Sequence, residues 1–206
     1  MSHIPAGIRQ TQKQKTRQAL LDAALGLLEG QSLSSLGLRE VTRAVGIAPT
    51  AFYRHFRSTA DLGVALVEEA LGSLHEMIGT TLAATGDSDE RISRTVELIA
   101  GHVRTHAPHV RFIARERHGG VQPVRAAIGE QLDRFAGEVA VELAKHPESE
   151  GWSEDDVLML ARLYVDHMVM TASAFLDAEP GTEERVASLA RRQMRLVSLG
   201  RRHWLD

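Results

Sequence analysis

The stretch Gly37 to Arg57, GLREVTRAVGIAPTAFYRHFR, constrains the chain more than any other. Leu38, Val41 and Val45 recur at three- and four-residue spacing, which predicts one apolar face of a short helix. Gly46 then supplies the backbone freedom of a sharp turn, and Ile47 is an apolar plug for the angle that follows. Pro49 suits the first position of a second helix, where its missing N–H costs nothing. Phe52 and Phe56 are four apart and should point inward. Thr50, Tyr53, Arg54 and Arg57 fall together on the other face, which is polar and basic. A short helix held on a small core and offering Thr, Tyr and Arg outward has the layout of a helix-turn-helix entering a DNA major groove. Two short helices around a glycine also occur in many helical proteins, where such a face is simply solvated.

The order Gly46-Ile47, Thr50, Tyr53-Arg54-His55-Phe56 is more specific. Here the chain resembles the TetR family of one-component regulators, in which a Tyr-x-His-Phe ending closes the recognition helix. The family usually places Ser or Thr ahead of that helix as its cap. This chain has Ala48, so the cap is weakened and Pro49 compensates in part by presetting the backbone. The resemblance implies that Lys15, Arg39, Pro49, Thr50, Tyr53, Arg54 and His55 contact DNA. Arg54, Thr50 and the helix N-terminus would read or sit against bases. Tyr53, His55, Arg39 and Lys15 would grip phosphates.

Charge divides along the chain in the same sense. The net charge of −3 over 206 residues is the sum of +5 from Met1 to Arg57 and −8 beyond. A basic head on an acidic body fits a polyanion at one end. The chain has no cysteine, which removes disulfides and thiolate chemistry. No apolar run approaches the roughly 20 residues of a membrane span, and the N-terminus lacks the apolar core of a signal peptide. A cytoplasmic protein is expected, with residues 1–57 as the DNA-binding domain and 58–206 as a ligand-binding and dimerisation domain.

Met1 to Gln10 has no periodicity and reads as a mobile arm whose Arg9 could reach a phosphate. A first helix is expected from about Thr11 to Glu29, with Leu20, Ala23, Ala24, Leu27 and Leu28 buried. Ser58 and Asp61 read as the cap of a long helix, in which Leu62, Leu66, Ala70, Leu74, Ile78 and Leu82 make a broad stripe. That helix would be shared by both halves and act as the lever between them. Further helices are expected over about 89–106, 109–118, 121–145, 153–177 and 182–202, broken at Pro108, Gly119-Gly120 and Pro147 to Gly151. No strand pattern appears, so the fold should be all-α, with about nine helices. The last two carry more apolar surface than one small domain covers, which predicts a two-fold dimer through a four-helix bundle. Two heads would then meet successive grooves of a pseudo-palindromic operator.

The body should enclose an apolar interior. Candidates for a ligand site are Leu66, Ala70, Leu74, Ile99, Val103, Phe112, Val124, Ile128, Leu132, Val165, Met168, Val169 and Ala172, any of which could equally be plain core. Aromatic residues make up only 4% of the chain, which favours an aliphatic guest over a flat or cationic one. Arg111, Arg115, Arg117 and Arg125 cluster around Gly119-Gly120. They could hold an anionic headgroup or form a solvated face. The run Arg115-Glu116-Arg117-x-Gly119 with Arg125-Ala126-Ala127-Ile128 resembles the regulators of unsaturated fatty acid synthesis within the TetR family, the FabR/DesT type. That resemblance implies a repressor sensing long-chain acyl-CoA, with Arg115 added to the ligand set and no cofactor. A TetR-like sensor of another hydrophobic molecule, such as a drug, is the alternative.

His102, His106 and His109 have metal-ligand spacing, but no carboxylate or cysteine partner is near in sequence, and solvated histidines fit as well. No metal site is assigned. A helical metal or carrier protein without a DNA role is the remaining reading. No nucleophile elbow, phosphate loop or zinc-protease motif occurs, so an enzyme is not expected.

Overall fold

In a computed structural model of the chain, residues 6–82 and 87–205 are described, with the side chains of 10–72 and 87–205. The expectations for Arg9, Leu74, Ile78 and Leu82 lie outside these described parts. Among the described residues the fold is all-helical, with eight α-helices in chain order: α1 Ala6–Leu27, α2 Leu38–Val45, α3 Pro49–Phe52, α4 Thr59–Leu82, α5 Ser88–Glu116, α6 Gln122–Ala144, α7 Glu154–Leu176 and α8 Glu183–Arg202. A single 3-10 turn, Pro147–Ser149, joins α6 to α7.

Two boundaries differ from expectation for physical reasons. α1 starts at Ala6, where an arm was expected. Residues 10–15 are exposed, and an exposed turn rich in Gln and Lys holds a helix by propensity without an apolar stripe. The two helices expected on either side of Pro108 run on as α5, two helical arms that meet at a non-helical kink at His106 with φ −130° and ψ 32°. Proline removes one hydrogen bond and crowds the preceding turn, which bends a helix without ending it. Counting its two arms as one element gives eight α-helices among the described residues.

Local capping follows the sequence closely. The Asp61 N–H donates to Ser58 Oγ at 3.1 Å, and the Asp156 N–H donates to Ser153 Oγ at 3.1 Å. Asp87 caps α5, its carboxylate accepting from the Glu90 N–H at 2.8 Å. Each cap satisfies an orphan donor of a first turn.

Three apolar cores organise the packing. The first joins Leu20, Leu21 and Ala24 of α1, Leu28 just beyond it, and Val41, Phe52 and Phe56 to Leu62, Leu66 and Val67 of α4, and also to Phe112, Ile113, Val124 and Ile128. The second packs Phe135, Val139 and Leu143 of α6 on Val157, Leu160 and Val165 of α7. The third packs Ile92, Val96, Ile99 and Val103 of α5 on Ala187, Ala190 and Met194 of α8, with Phe175. The first core runs across the expected boundary at residue 57, so head and body share an interior. Gly63 lies at that seam, where a Cβ would collide with the side chains of Leu33 and Val124.

Candidate nucleic-acid interface and effector cavity

The head is built by short-range rules. Gly37 opens α2, and its N–H donates to Glu40 Oε2 at 3.1 Å. Val41 is fully buried, while Leu38, Val45 and Ile47 pack against the same core. Gly46 adopts the left-handed conformation at φ 72°, and the Ile47 N–H closes the turn on Thr42 O at 3.0 Å. Ala48 contributes no side-chain cap to α3, and Pro49 occupies its start. The α-helical part of α3 is four residues long. It continues as a tight turn in which the Arg54 N–H donates to Ala51 O and the His55 N–H to Phe52 O. Phe52 is 0% exposed and Tyr53 is 62% exposed, so adjacent residues divide between core and surface.

Pro49, Thr50, Arg54 and Arg57 are exposed beside Tyr53. His55 is half-buried, and its Nδ1 has no hydrogen-bond partner. Burial first, then the charges of Lys13, Arg17 and Arg54, hold its pKa below the ordinary histidine value. It therefore stands among cations as a neutral imidazole. Arg17 also lies over the Phe56 ring, 4.9 Å from its centroid, tying α1 to the end of the turn. Lys15 and Arg39 are exposed on α1 and α2, and they are not among the charges acting on His55.

The body contains an apolar cavity between α4, α5, α6 and α7. It is lined by Ala70 and Leu71; Ile99, His102, His109, Val110, Ile113 and Ala114; Leu132 and Phe135; and Val165, Met168, Val169, Ala172 and Ser173. The void is about 80 Å³, well short of the roughly 300–1,000 Å³ of small-molecule sites, so a guest must part the packing around it. Seven residues proposed from sequence line it: Ala70, Ile99, Leu132, Val165, Met168, Val169 and Ala172. Leu66, Phe112, Val124 and Ile128 do not, because they are sealed into the core shared with the head. Val103 faces the α5–α8 core. His102, Ala114 and Ser173 escape a sequence reading that seeks large apolar side chains.

His102 and His109 form one rim of the cavity. The His102 and His106 rings stack with centroids 4.6 Å apart, and His109 Nε2 lies 3.5 Å from Glu69 Oε1. Burial, then the neighbouring His106 and His109, push the His102 pKa down. Among the described residues no group of three or more metal-binding side chains is placed to hold an ion.

The arginine cluster has a different geometry from an anion clamp. Arg115 donates through Nη1 to Leu28 O at 2.8 Å and Gln31 O at 2.6 Å, so it caps the C-terminal end of α1. Arg115 does not line the cavity, although it was expected among the ligand residues. Arg111 pairs with Glu29 at 3.4 Å, Arg117 pairs with Asp166, and Arg125 donates to Gly119 O at 2.5 Å. Glu116, 1% exposed, accepts the Leu33 N–H at 2.9 Å. The C-terminal arm of α5 thus holds the loop between α1 and α2 through Arg111, Arg115 and Glu116. The same arm lines the cavity through His109, Val110, Ile113 and Ala114. The expected lever was α4 alone; α5 is a second mechanical link, recognisable only once residues far apart in the chain are seen together.

A basic helix-turn-helix head on an all-helical body with an apolar chamber defines the class of one-component transcriptional regulators. Residues 20–66 match the family described as bacterial regulatory proteins, tetR family. That match covers less than half of the chain and shows what its head is similar to, regulatory proteins of the tetR family. The fold recurs over most of the chain in solved structures. A putative TetR-family regulator from Syntrophomonas wolfei aligns with a TM-score of 0.74 at 15% identity, over 91% of this chain and 96% of that one. The transcriptional regulator FadR from Bacillus subtilis, solved in complex with stearoyl-CoA, aligns with a TM-score of 0.70 at 14% identity, over 87% and 96%. AibR, solved in complex with isovaleryl coenzyme A and operator DNA, aligns with a TM-score of 0.64 at 15% identity, over 86% and 97%.

Proposed function

We propose that this regulator is a dimeric repressor whose DNA affinity is set by an aliphatic acyl effector, a long-chain acyl-CoA, and whose targets are genes of unsaturated fatty acid synthesis. The observation that carries this reading is the cavity, whose wall is apolar except for His102, His109 and Ser173. FadR and AibR, which share the fold, were solved with acyl-CoA molecules. Residues 1–57 act as the reading head and 58–206 as the sensing and dimerisation body. Thr50, Arg54 and the α3 N-terminus meet bases, while Lys15, Arg39, Tyr53 and His55 meet phosphates. Pro49 sets the start of that helix.

Coupling follows from the two links. A guest wedged between α4, α5 and α7 presses on Ala70, Leu71, Ile113 and Met168. Displacement of the α5 arm is passed to the α1–α2 loop through Arg115 and Glu116. A ligand fitting both head arrangements equally would shift nothing, so straight and kinked chains must differ in how they fill the void.

Exposed apolar stripes support the dimer. Met159, Leu163 and Met170 on α7 and Leu189, Leu196 and Leu199 on α8 are all more than 45% exposed in the single chain. They follow helical spacing, as a self-complementary four-helix interface requires. No described helix is long and apolar enough to cross a membrane, and a cytoplasmic site of action fits a DNA-binding regulator.

The test is a titration of operator affinity, on a fragment selected from random duplexes, with saturated and unsaturated acyl-CoA of graded chain length. An acyl-CoA should change operator affinity, with the two saturation classes differing. If none does and an unrelated hydrophobic molecule does, the alternative TetR-like sensor of such a molecule is the correct one. Met168→Trp fills the cavity and should blunt the response while leaving effector-free DNA binding intact.

A further inference from the structure

Ile99 and Met168, which line the apolar cavity, also border a second chamber of about 90 Å³ between α5, α6, α7 and α8. Its character is different. Arg91, His146, Tyr164 and Arg201 line it, together with Ser88 and Ser198, whose hydroxyls bond each other at 2.7 Å.

Arg201 is the unusual member. It is 7% exposed, and its Nη2 is held by Leu143 O at 3.1 Å and by Ser149 Oγ. Its Nε–H is buried with no acceptor. An unpaired donor on a buried guanidinium is costly, and an anion is its natural complement. Arg91 adds a second positive charge, opposed by Glu148 at 3.9 Å. Burial, followed by Arg91 and Arg201, holds His146 below its ordinary value, so it adds no charge near neutral pH. Two guanidinium groups, Arg91 and Arg201, thus line one chamber.

We propose that this chamber seats the carboxylate of an unesterified aliphatic acid, whose chain passes between Ile99 and Met168 into the apolar cavity. The proposal rests on the effector reading above and adds a second effector class beside the coenzyme A thioester. The carboxylate takes the Arg201 Nε–H, with the Ser198 and Tyr164 hydroxyls near enough to line its surroundings. A thioester has no charge at that atom, so the two classes would share the apolar cavity and differ at its polar end.

Calorimetric titration of the full chain with decanoate, decanol, methyl decanoate and decanoyl-CoA tests this. Decanoate should bind about tenfold more tightly than decanol or the methyl ester, the scale of one charge-assisted hydrogen bond. Arg201→Gln should abolish that preference, and Arg201→Lys should keep part of it. Should Arg201→Gln fail to fold, the comparison of acid, alcohol and ester on the unaltered protein still decides. Equal binding of acid, alcohol and ester overturns the anion seat and leaves the effector cavity standing. So does binding of decanoyl-CoA alone, or an Arg201→Gln protein that keeps its preference for the acid. If none of the four binds and longer acyl-CoA also fails, both proposals fall.

Discussion

Replacing Glu116 separates two contributions that meet at the junction of body and head. Its carboxylate is 1% exposed and accepts the Leu33 N–H at 2.9 Å. Its second oxygen is buried without a partner. Glu116→Ala leaves the Leu33 N–H buried and unpaired, at a cost of about 1–3 kcal/mol. Glu116→Gln keeps a carbonyl oxygen for Leu33 and puts an amide where the unpartnered oxygen was. Its cost should stay within about 1 kcal/mol. For a chain of this size each kcal/mol moves the midpoint by about 2–4 °C. Thermal unfolding followed by circular dichroism should therefore show Glu116→Ala falling by about 2–12 °C and Glu116→Gln by no more than about 4 °C. Operator titration provides a second readout. The alanine variant should lose part of its effector response, because one tie between the α5 arm and the α1–α2 loop is gone. Equal destabilisation by both substitutions, or none by alanine, would refute the assignment of Glu116 as the acceptor that fastens this loop.

Three other outcomes follow from the same structure. Tyr53→Phe combined with Arg54→Ala should weaken operator binding by about tenfold or more and lower the salt slope by about one for each phosphate no longer neutralised; gel shifts at two salt concentrations measure both. Leu163→Glu with Leu196→Glu should leave a folded monomer in sedimentation velocity, since both side chains are exposed in the single chain. The pKa values of His55, His102 and His146 are held below 6.5, with burial the first cause of each. Between those depressed values and 6.5 the unfolded chain binds more protons, so the stability present above 6.5 is lost as pH falls through the native values. The unfolding midpoint should drop on going from about pH 7.5 to about pH 5.5, and His102→Gln should make that drop shallower.

What the sequence made legible was whatever depends on near neighbours. Gly46, Phe52 and Phe56 announce the turn and its core because their roles are set within about one helix length. Ser58 and Ser153 announce caps because the acceptor and its donor are three residues apart. Periodicity separates buried faces from exposed ones, but it does not tell a packed wall from a wall beside a void. Ile128 and Leu132 share one stripe of α6, yet the first is sealed under the head and the second borders the cavity. The arginines around Gly119 mislead for a related reason. A guanidinium looks equally suited to a free anion or to backbone carbonyls, and the carbonyls that Arg115 caps lie more than 80 positions away.

The bend at His106 has a consequence of its own. An unbroken rod from Ser88 to Glu116 would transmit every disturbance at its acidic start to its far tip. With a joint near its middle, the first arm is bedded on α8 and the second is a separate helical arm beneath the head. On the proposed dimer, changes that tune pairing along α8 would be insulated from the head, leaving the two surfaces free to diverge at different speeds.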